Sequence, residues 1–445
     1  MTTYFPELDR LMQYQRELPE LYGALDFDTR PYRLTTDPAV ASALPGWVAR
    51  REPLLADDRI VELVATATML GDVAADPYAA LSATRSVTEL IELVRLACRA
   101  GLDAVPDAPP ELVRFIESMT APPDWIDMTL VADGARRSKI DAALLAPFLI
   151  RGAFVATFTN TYAALPMALT GALSGRRAAR RVNETAAFFA LTTLPGALDR
   201  YGPGFEAAAL VRLMHSLVRC HALTRAANWD PSVYGMPVPQ IDQLPAGMIQ
   251  LYLMAQRALR AGRTEFTAGE RAVVEFSRYR CFLLGLPEEL VPATATDIVR
   301  LINARAALLR DGFDDETCGR LVRSTMDAYL RAADTRFDRL ADAVEKSYSK
   351  LGFTQAFCHG SRRAAAAMGV HTGPADYARV AVTAPFIVGR VLAVGLAVRN
   401  RRLRPLVDRY LDRTIARRLV GYGKPEYRTD AGSYAELGSA GVGVA

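Results

Sequence analysis

The sequence predicts an all-α protein. Three observations carry this. Nearly every long segment repeats its apolar residues at helical spacing, and no hairpin turn sits between two alternating β-branched runs. Pro- and Gly-rich stretches also punctuate the chain where inter-helix loops are needed. The 445 residues, 51% hydrophobic and 23% charged, suffice for a large core and exclude a disordered chain, a collagen-like repeat and a disulfide mini-protein.

In chain order, Asp57–Pro77 places Ile60, Leu63, Val64, Met69 and Leu70 broadly on one side. Ser86–Gly101 repeats the habit, with Ser86 or Thr88 as candidate cap and Gly101 as stop. Pro109–Met119, the long run 314–352 and Asp376–Val398 continue it. Pro106–Pro110, Trp229–Pro245 and Leu286–Thr296 read as loops short enough to stay within one domain, 1–420. The Gly-, Ser- and Thr-rich remainder, 421–445, reads as a loose tail.

Two segments test the soluble reading. Gly152–Gly175 is uncharged and lies between Arg151 and the pair Arg176 and Arg177, so by length it could span a bilayer. Thr157, Thr159, Asn160, Thr161, Thr170 and Ser174 dilute it and Pro166 interrupts it, which favours a buried, kinked core helix. Val380–Val398 is broken by Arg390 and followed by the basic run Arg399–Arg404. It is either a core helix with a solvated end or a helix lying on an anionic membrane surface.

Composition narrows the chemistry. A net charge of +4 offers no argument for nucleic acid. Of 53 basic residues only Lys139, Lys346, Lys350 and Lys424 are lysines; the rest are arginines, whose planar fork suits carboxylates and phosphates. Cys98, Cys220, Cys281, Cys318 and Cys358 are scattered and never form C-x-x-C, which argues against a disulfide framework or structural zinc. The charge-studded first residues show no apolar leader, so a reducing, cytoplasmic location is expected. No H-E-x-x-H, E-x-x-H, P-loop or G-x-S-x-G motif occurs.

The informative stretch is Phe205–Arg225, read as one helix opened by the Gly202-Pro203-Gly204 turn. Arg212, His215 and Arg219 stand at i−3, i and i+4 and share a face, while Leu210, Val211, Met214, Leu217 and Val218 bury the rest. Two guanidiniums near 6 Å would each oppose protonation of the imidazole by roughly 3 kcal/mol at an effective dielectric near 20. Neutral imidazole is the form that binds iron, and the two arginines could neutralise a cofactor's carboxylates. The residues alone leave a second reading open: a core histidine bonded to a backbone carbonyl, with the arginines paired to buried acids. The preceding helix, Ser174–Gly196, aligns Arg177, Arg181, Thr185 and Phe188, with Glu184 one turn from Arg181. This is either a surface ion pair beside core aromatics or the polar part of an apolar oxidant pocket.

Val211–Arg219, V-R-L-M-H-S-L-V-R, resembles the haem-ligand helix of the latex-clearing-protein, or rubber oxygenase, family, whose wider superfamily includes the MpaB-type oxygenases. Arg181-x-x-Glu184-Thr185 upstream is similar to the family's R-x-x-[K or other]-T, and Tyr234–Met248 to its G-x-P segment. The resemblance implies a globin-like helical core, about 140–345, carrying further N- and C-terminal helices. It implies haem b as cofactor and dioxygen as oxidant, inserted across an isoprenoid C=C bond. His215 would be the proximal iron ligand, Arg212 and Arg219 would help hold the haem, and Arg181 and Thr185 would belong to the distal pocket. His221, six residues on, faces elsewhere and is the weaker candidate.

Two departures matter. Glu184 stands where some relatives carry a lysine that caps the iron, so that kind of capping is excluded and Glu184 becomes a candidate base or an anchor for Arg181. The missing export signal suggests a small hydrophobic, alkene-containing terpenoid, isoprenoid or lipid-like substrate rather than rubber. The alternatives are a non-catalytic haem-binding or redox-sensor protein of the same fold, and a cofactor-free helical protein at a membrane surface.

Overall fold

The computed structural model describes residues 4–170, 176–225 and 229–423, together with 425. These residues form an all-α protein. Two isolated antiparallel bridges, Leu34 with Leu309 and Ser42 with Arg310, are its only β-type pairings among the described residues. The principal helices are α1 (Pro6–Arg16), α2 (Asp58–Met69), α3 (Val87–Ala100), α4 (Pro110–Thr120), α5 (Met128–Ile140), α6 (Ala146–Val155), α7 (Thr161–Leu169) and α8 (Arg176–Leu191). They continue as α9 (Pro203–Arg225), α10 (Gln240–Arg260), α11 (Ala268–Leu283), α12 (Ala295–Leu308), α13 (Arg320–Asp327), α14 (Arg336–Phe357), α15 (Pro374–Arg399) and α16 (Arg404–Tyr422).

Local chemistry sets many of the ends. Ser86 caps α3 by accepting from the Glu89 amide, and Gly101 ends it at a φ of 95°, a conformation that favours glycine. Thr267 and Glu270 close a reciprocal capping box on α11. Four expected boundaries shift. Gly152–Leu169 is two helices, because Asn160 leaves the helix to cap α7 on the Tyr162 amide and to donate to the Arg310 carbonyl. Arg151, expected as a flank, is buried against Asp342, so this segment is interior structure; residues 171–175 lie outside the described set. Pro245, expected in a loop, sits in the second turn of α10, where only the Ile241 carbonyl loses its helical partner. The run 314–352 breaks between α13 and α14, and Thr335 caps the new start. α16 continues to Tyr422, two residues into the expected tail; residues 424 and 426–445 lie outside the described set.

The N-terminal helices share their core with the later ones. Tyr22, Val64 and Leu70 pack with Leu244 and Leu251 of α10 and Ile298 of α12. Leu210, Leu213 and Leu217 of α9 pack with Leu90 and Val94 of α3 and Phe115 of α4. α9 is therefore enclosed by elements from both halves of the chain. α5 crosses α11 so closely at Gly134 that a Cβ there would lie 1.9 Å from the Ala272 carbonyl oxygen and 2.7 Å from Phe276 Cβ.

Gly134→Ala should thus force the two helices apart and destabilise the protein by roughly 1–3 kcal/mol in urea unfolding. Gly352→Ala on α14, where a Cβ would meet only Leu149 at 3.7 Å, should be neutral or stabilising.

Candidate functional site

Helices α7, α8, α9 and α10 enclose a cavity of about 250 Å³. Its wall is largely apolar: Phe158, Met167, Phe188, Phe189, Met214 and Val218 are prominent. Into it face His215 of α9, Arg181, Glu184 and Thr185 of α8, Asp242 and Gln243 of α10, and Arg305 of α12.

His215 is half-buried because its ring forms part of the cavity wall. Its Nδ1 lies 3.1 Å from Gln243 Oε1. Gln243 Nε2 donates to Gln240 Oε1 at 2.6 Å, and Gln240 Nε2 donates to the Gly71 carbonyl at 3.1 Å. A backbone carbonyl can only accept, so it fixes the orientation of both amides in turn. Gln243 must therefore present its oxygen to the imidazole, and Nδ1 must carry the proton. Neutral His215 is held as the Nδ1–H tautomer, which leaves the Nε2 lone pair free. Burial, reinforced by the charges of Arg219 and Arg181, depresses its pKa to about 4 against the opposing pull of Gln243 and Asp72. The neutral form expected from the sequence is thus present, but burial is the larger cause, and Arg181 is the second cation acting on the ring.

Arg212 and Arg219 take the other course open to them. Arg212 Nη2 meets Asp72 Oδ1 at 2.8 Å and its Nη1 donates to Ser118 Oγ at 3.0 Å. Arg219 Nη1 meets Asp76 Oδ1 at 2.5 Å, and its Nη2 donates to the Val238 carbonyl at 2.9 Å. All four charged side chains are buried, and neither arginine lines the cavity. The stripe divides because α9 turns Val211, Met214, His215 and Val218 to the cavity while Arg212, Ser216 and Arg219 lie on the adjoining side. Burial alone would raise the Asp72 carboxyl, but Arg212 holds it below its ordinary value. Tyr22, whose pKa burial and the Asp76 charge push far up, stays protonated and donates to Asp76 Oδ2 at 2.6 Å. Gly71 leaves room for this cluster: a Cβ there would lie 2.8 Å from Asp76 Oδ2 and 3.2 Å from the Tyr22 hydroxyl.

On α8, Arg181 Nη1 donates to Glu184 Oε2 at 3.0 Å and its Nη2 lies 2.9 Å from Met214 Sδ. The alternative of a surface pair fails, since both side chains are buried in the cavity wall. Arg180 approaches the other oxygen of Glu184, with Nε 3.5 Å away. Thr185 is half-buried on the same wall. His221 is buried on α9 and does not line the cavity. Lys139, Lys346 and Lys350 pair with Asp412, Asp342 and Asp376, and none reaches the cavity.

Sequence reasoning missed Asp72, Asp76, Asp242, Gln243 and Arg305. Asp242 accepts from Arg33 at 2.8 Å and from Arg305 at 2.6 Å, so two guanidiniums share one carboxylate, and of the two only Arg305 lines the cavity. Two signals were available. Asp72 and Asp76 interrupt an otherwise apolar turn four residues apart, and Gln240, Asp242 and Gln243 lie within Tyr234–Met248, a stretch singled out only as a segment.

The sequence profile of the family described as "ER-bound oxygenase mpaB/B'/rubber oxygenase, catalytic domain" matches residues 142–389, more than half of the chain. The chain belongs to that family. Its fold is similar to that of a solved structure of latex clearing protein in the closed state, at 17% identity and a TM-score of 0.53, over 79% of this chain and 91% of that one. Comparison with curated protein sequences returns no significant match.

Gln243→Leu should strand the buried Nδ1–H. A loss of roughly 1–3 kcal/mol in denaturant unfolding is expected, with ¹⁵N imidazole shifts no longer showing a single tautomer. The protein should also lose stability as pH falls from about 6.5 toward 4, because the unfolded chain takes up a proton that folded His215 refuses. The full effect is about 3 kcal/mol, and His215→Gln should flatten that limb of the stability–pH curve.

Proposed function

We propose that this chain is a haem b-dependent oxygenase that uses dioxygen to cleave a C=C bond in a small terpenoid, isoprenoid or lipid-like substrate. One observation carries the reading: an imidazole held neutral by burial and tautomer-locked by a glutamine relay lines an apolar cavity, with no hydrogen bond to its Nε2 among the described residues. A histidine whose second nitrogen is anchored in this way is the donor that haem iron requires. The donor set therefore fits the group that the family resemblance implies.

Bound haem would supply an iron centre able to activate dioxygen. His215 would ligate the iron, and Gln243 would keep the ring oriented. Arg305, with a buried Nε that has no hydrogen-bond partner among the described residues, offers donors for a cofactor carboxylate. Arg212 and Arg219 would act on a bound haem only indirectly, by seating α9 against Asp72 and Asp76. Phe158, Phe188, Phe189 and Met167 exclude water and receive an apolar substrate. Arg181 and Thr185 supply a charged and a neutral donor at the reacting space, and Glu184 orients Arg181. A reducing, cytoplasmic setting is part of this reading and rests on the scattered cysteines of the sequence, which never form C-x-x-C.

His215→Ala should abolish haem retention, read as loss of the Soret band, while far-UV circular dichroism is unchanged. His221→Ala should keep its haem. Full haem content and an unchanged spectrum in His215→Ala would remove the assignment. Oxygen uptake on adding an isoprenoid alkene is expected; a Soret band without uptake would make the chain a haem-binding protein only. Glu184→Gln should retain haem with turnover reduced less than tenfold. A larger fall, above about 1.4 kcal/mol of barrier, would make Glu184 a proton carrier.

A further inference from the structure

The C-terminal helical pair is built unlike the rest of the molecule. Between Arg379 and Arg399, α15 carries one charged residue, Arg390, whose Nε lies 2.9 Å from the Tyr410 hydroxyl of α16. Its inner side packs on α14, where Thr383 Oγ1 donates to the Tyr348 hydroxyl at 3.2 Å. Its outer side exposes Val382, Phe386, Leu392 and Leu396, each between 61% and 77% accessible. Pro385, Gly389 and Ala393 lie between them on the same arc and are also exposed. From Val382 to Leu396 this uncharged strip runs about 21 Å. The helix is long and apolar enough to cross a membrane, yet none of its apolar window is buried in the protein. Soluble surfaces seldom leave a strip of this size uncovered.

A basic surface adjoins the strip. Arg399, Arg401, Arg402 and Arg404 are exposed in the turn that follows it, and none has a carboxylate partner among the described residues. α16 adds Arg409, Arg413 and Arg417 at i, i+4 and i+8, all exposed. Beneath the turn lies a depression of about 360 Å³. Arg399 and Arg404 line it together with Gly395, Val398 and, from α5, Arg136 and Arg137, which are both paired to Asp133; the acids in the lining are Glu270 and Asp408. Glu270 is already engaged by Arg263 at 2.8 Å.

We infer that the α15–α16 hairpin is a docking surface for an anionic lipid bilayer, with the α15 strip sunk among the acyl chains and the Arg399–Arg404 turn on the headgroup phosphates. Charge complementarity selects this occupant. An apolar strip alone would suit many partners, but one bordered by arginines without acidic partners matches a surface that is apolar inside and negative at its rim. α15 lies along the surface rather than through it, because its inner side is committed to α14 and α16. The inference does not depend on the oxygenase reading. It would, however, place the enzyme beside membrane-dissolved apolar substrates.

The test is co-sedimentation of the full chain with vesicles. Binding to phosphatidylcholine vesicles containing phosphatidylglycerol is expected to exceed binding to phosphatidylcholine alone, and to fall as salt rises. Phe386→Glu with Leu392→Glu should abolish it, and Arg401→Gln with Arg402→Gln should weaken it roughly tenfold or more. Both double variants lie on exposed positions and should keep the wild-type melting temperature. Equal binding to both vesicle types would overturn the inference, as would binding that survives either double variant. A dimer in light scattering that Phe386→Glu with Leu392→Glu dissociates, without vesicle binding, would assign the strip to a second copy and overturn it as well.

Discussion

The rest of the site depends on two buried ion pairs that tie α9 to the turn after α2. Arg212–Asp72 and Arg219–Asp76 place two cations and two anions in the protein interior, where each charge is tolerable only beside its partner. Removing one member of such a pair typically costs about 3–5 kcal/mol, because the remaining charge is left uncompensated. That penalty makes the arrangement specific. α9 can rotate or slide only by separating both pairs together, so the azimuth of His215 is set by residues that never touch the cavity.

The same turn also sets the chemistry of the imidazole. The Gly71 carbonyl, one residue before Asp72, begins the relay through Gln240 and Gln243 that orients His215. Gly71 is itself held by Gln15, whose Oε1 accepts from the Gly71 amide at 2.8 Å. A segment remote in sequence from α9 therefore controls both the position of the ring and which of its nitrogens is free. The division of charge is equally deliberate: cations and anions cancel behind α9, while the cavity keeps a few polar groups, Arg181 with Glu184 and Arg305 with Asp242, in an otherwise apolar wall. Polar atoms are few enough there for an apolar ligand and close enough together to be directional.

The features legible along the chain are periodic ones. The all-α class, most of the helices, the cap at Ser86 and the helix bearing His215 follow from spacing and local chemistry, which act within a few residues. The similarity of Val211–Arg219 and Arg181–Thr185 to family segments also located two of the cavity's walls. Long-range packing settles which way the stripe on α9 divides, because that depends on where Asp72 and Asp76, some 140 residues earlier, come to rest. It likewise decided that Arg181–Glu184 is buried, that Gln243 reaches the imidazole, and that the outer side of α15 is left uncovered. Periodicity says that a helix has an apolar side; whether another helix covers that side, and which charge waits opposite a buried arginine, is a matter of long-range packing that no local pattern encodes.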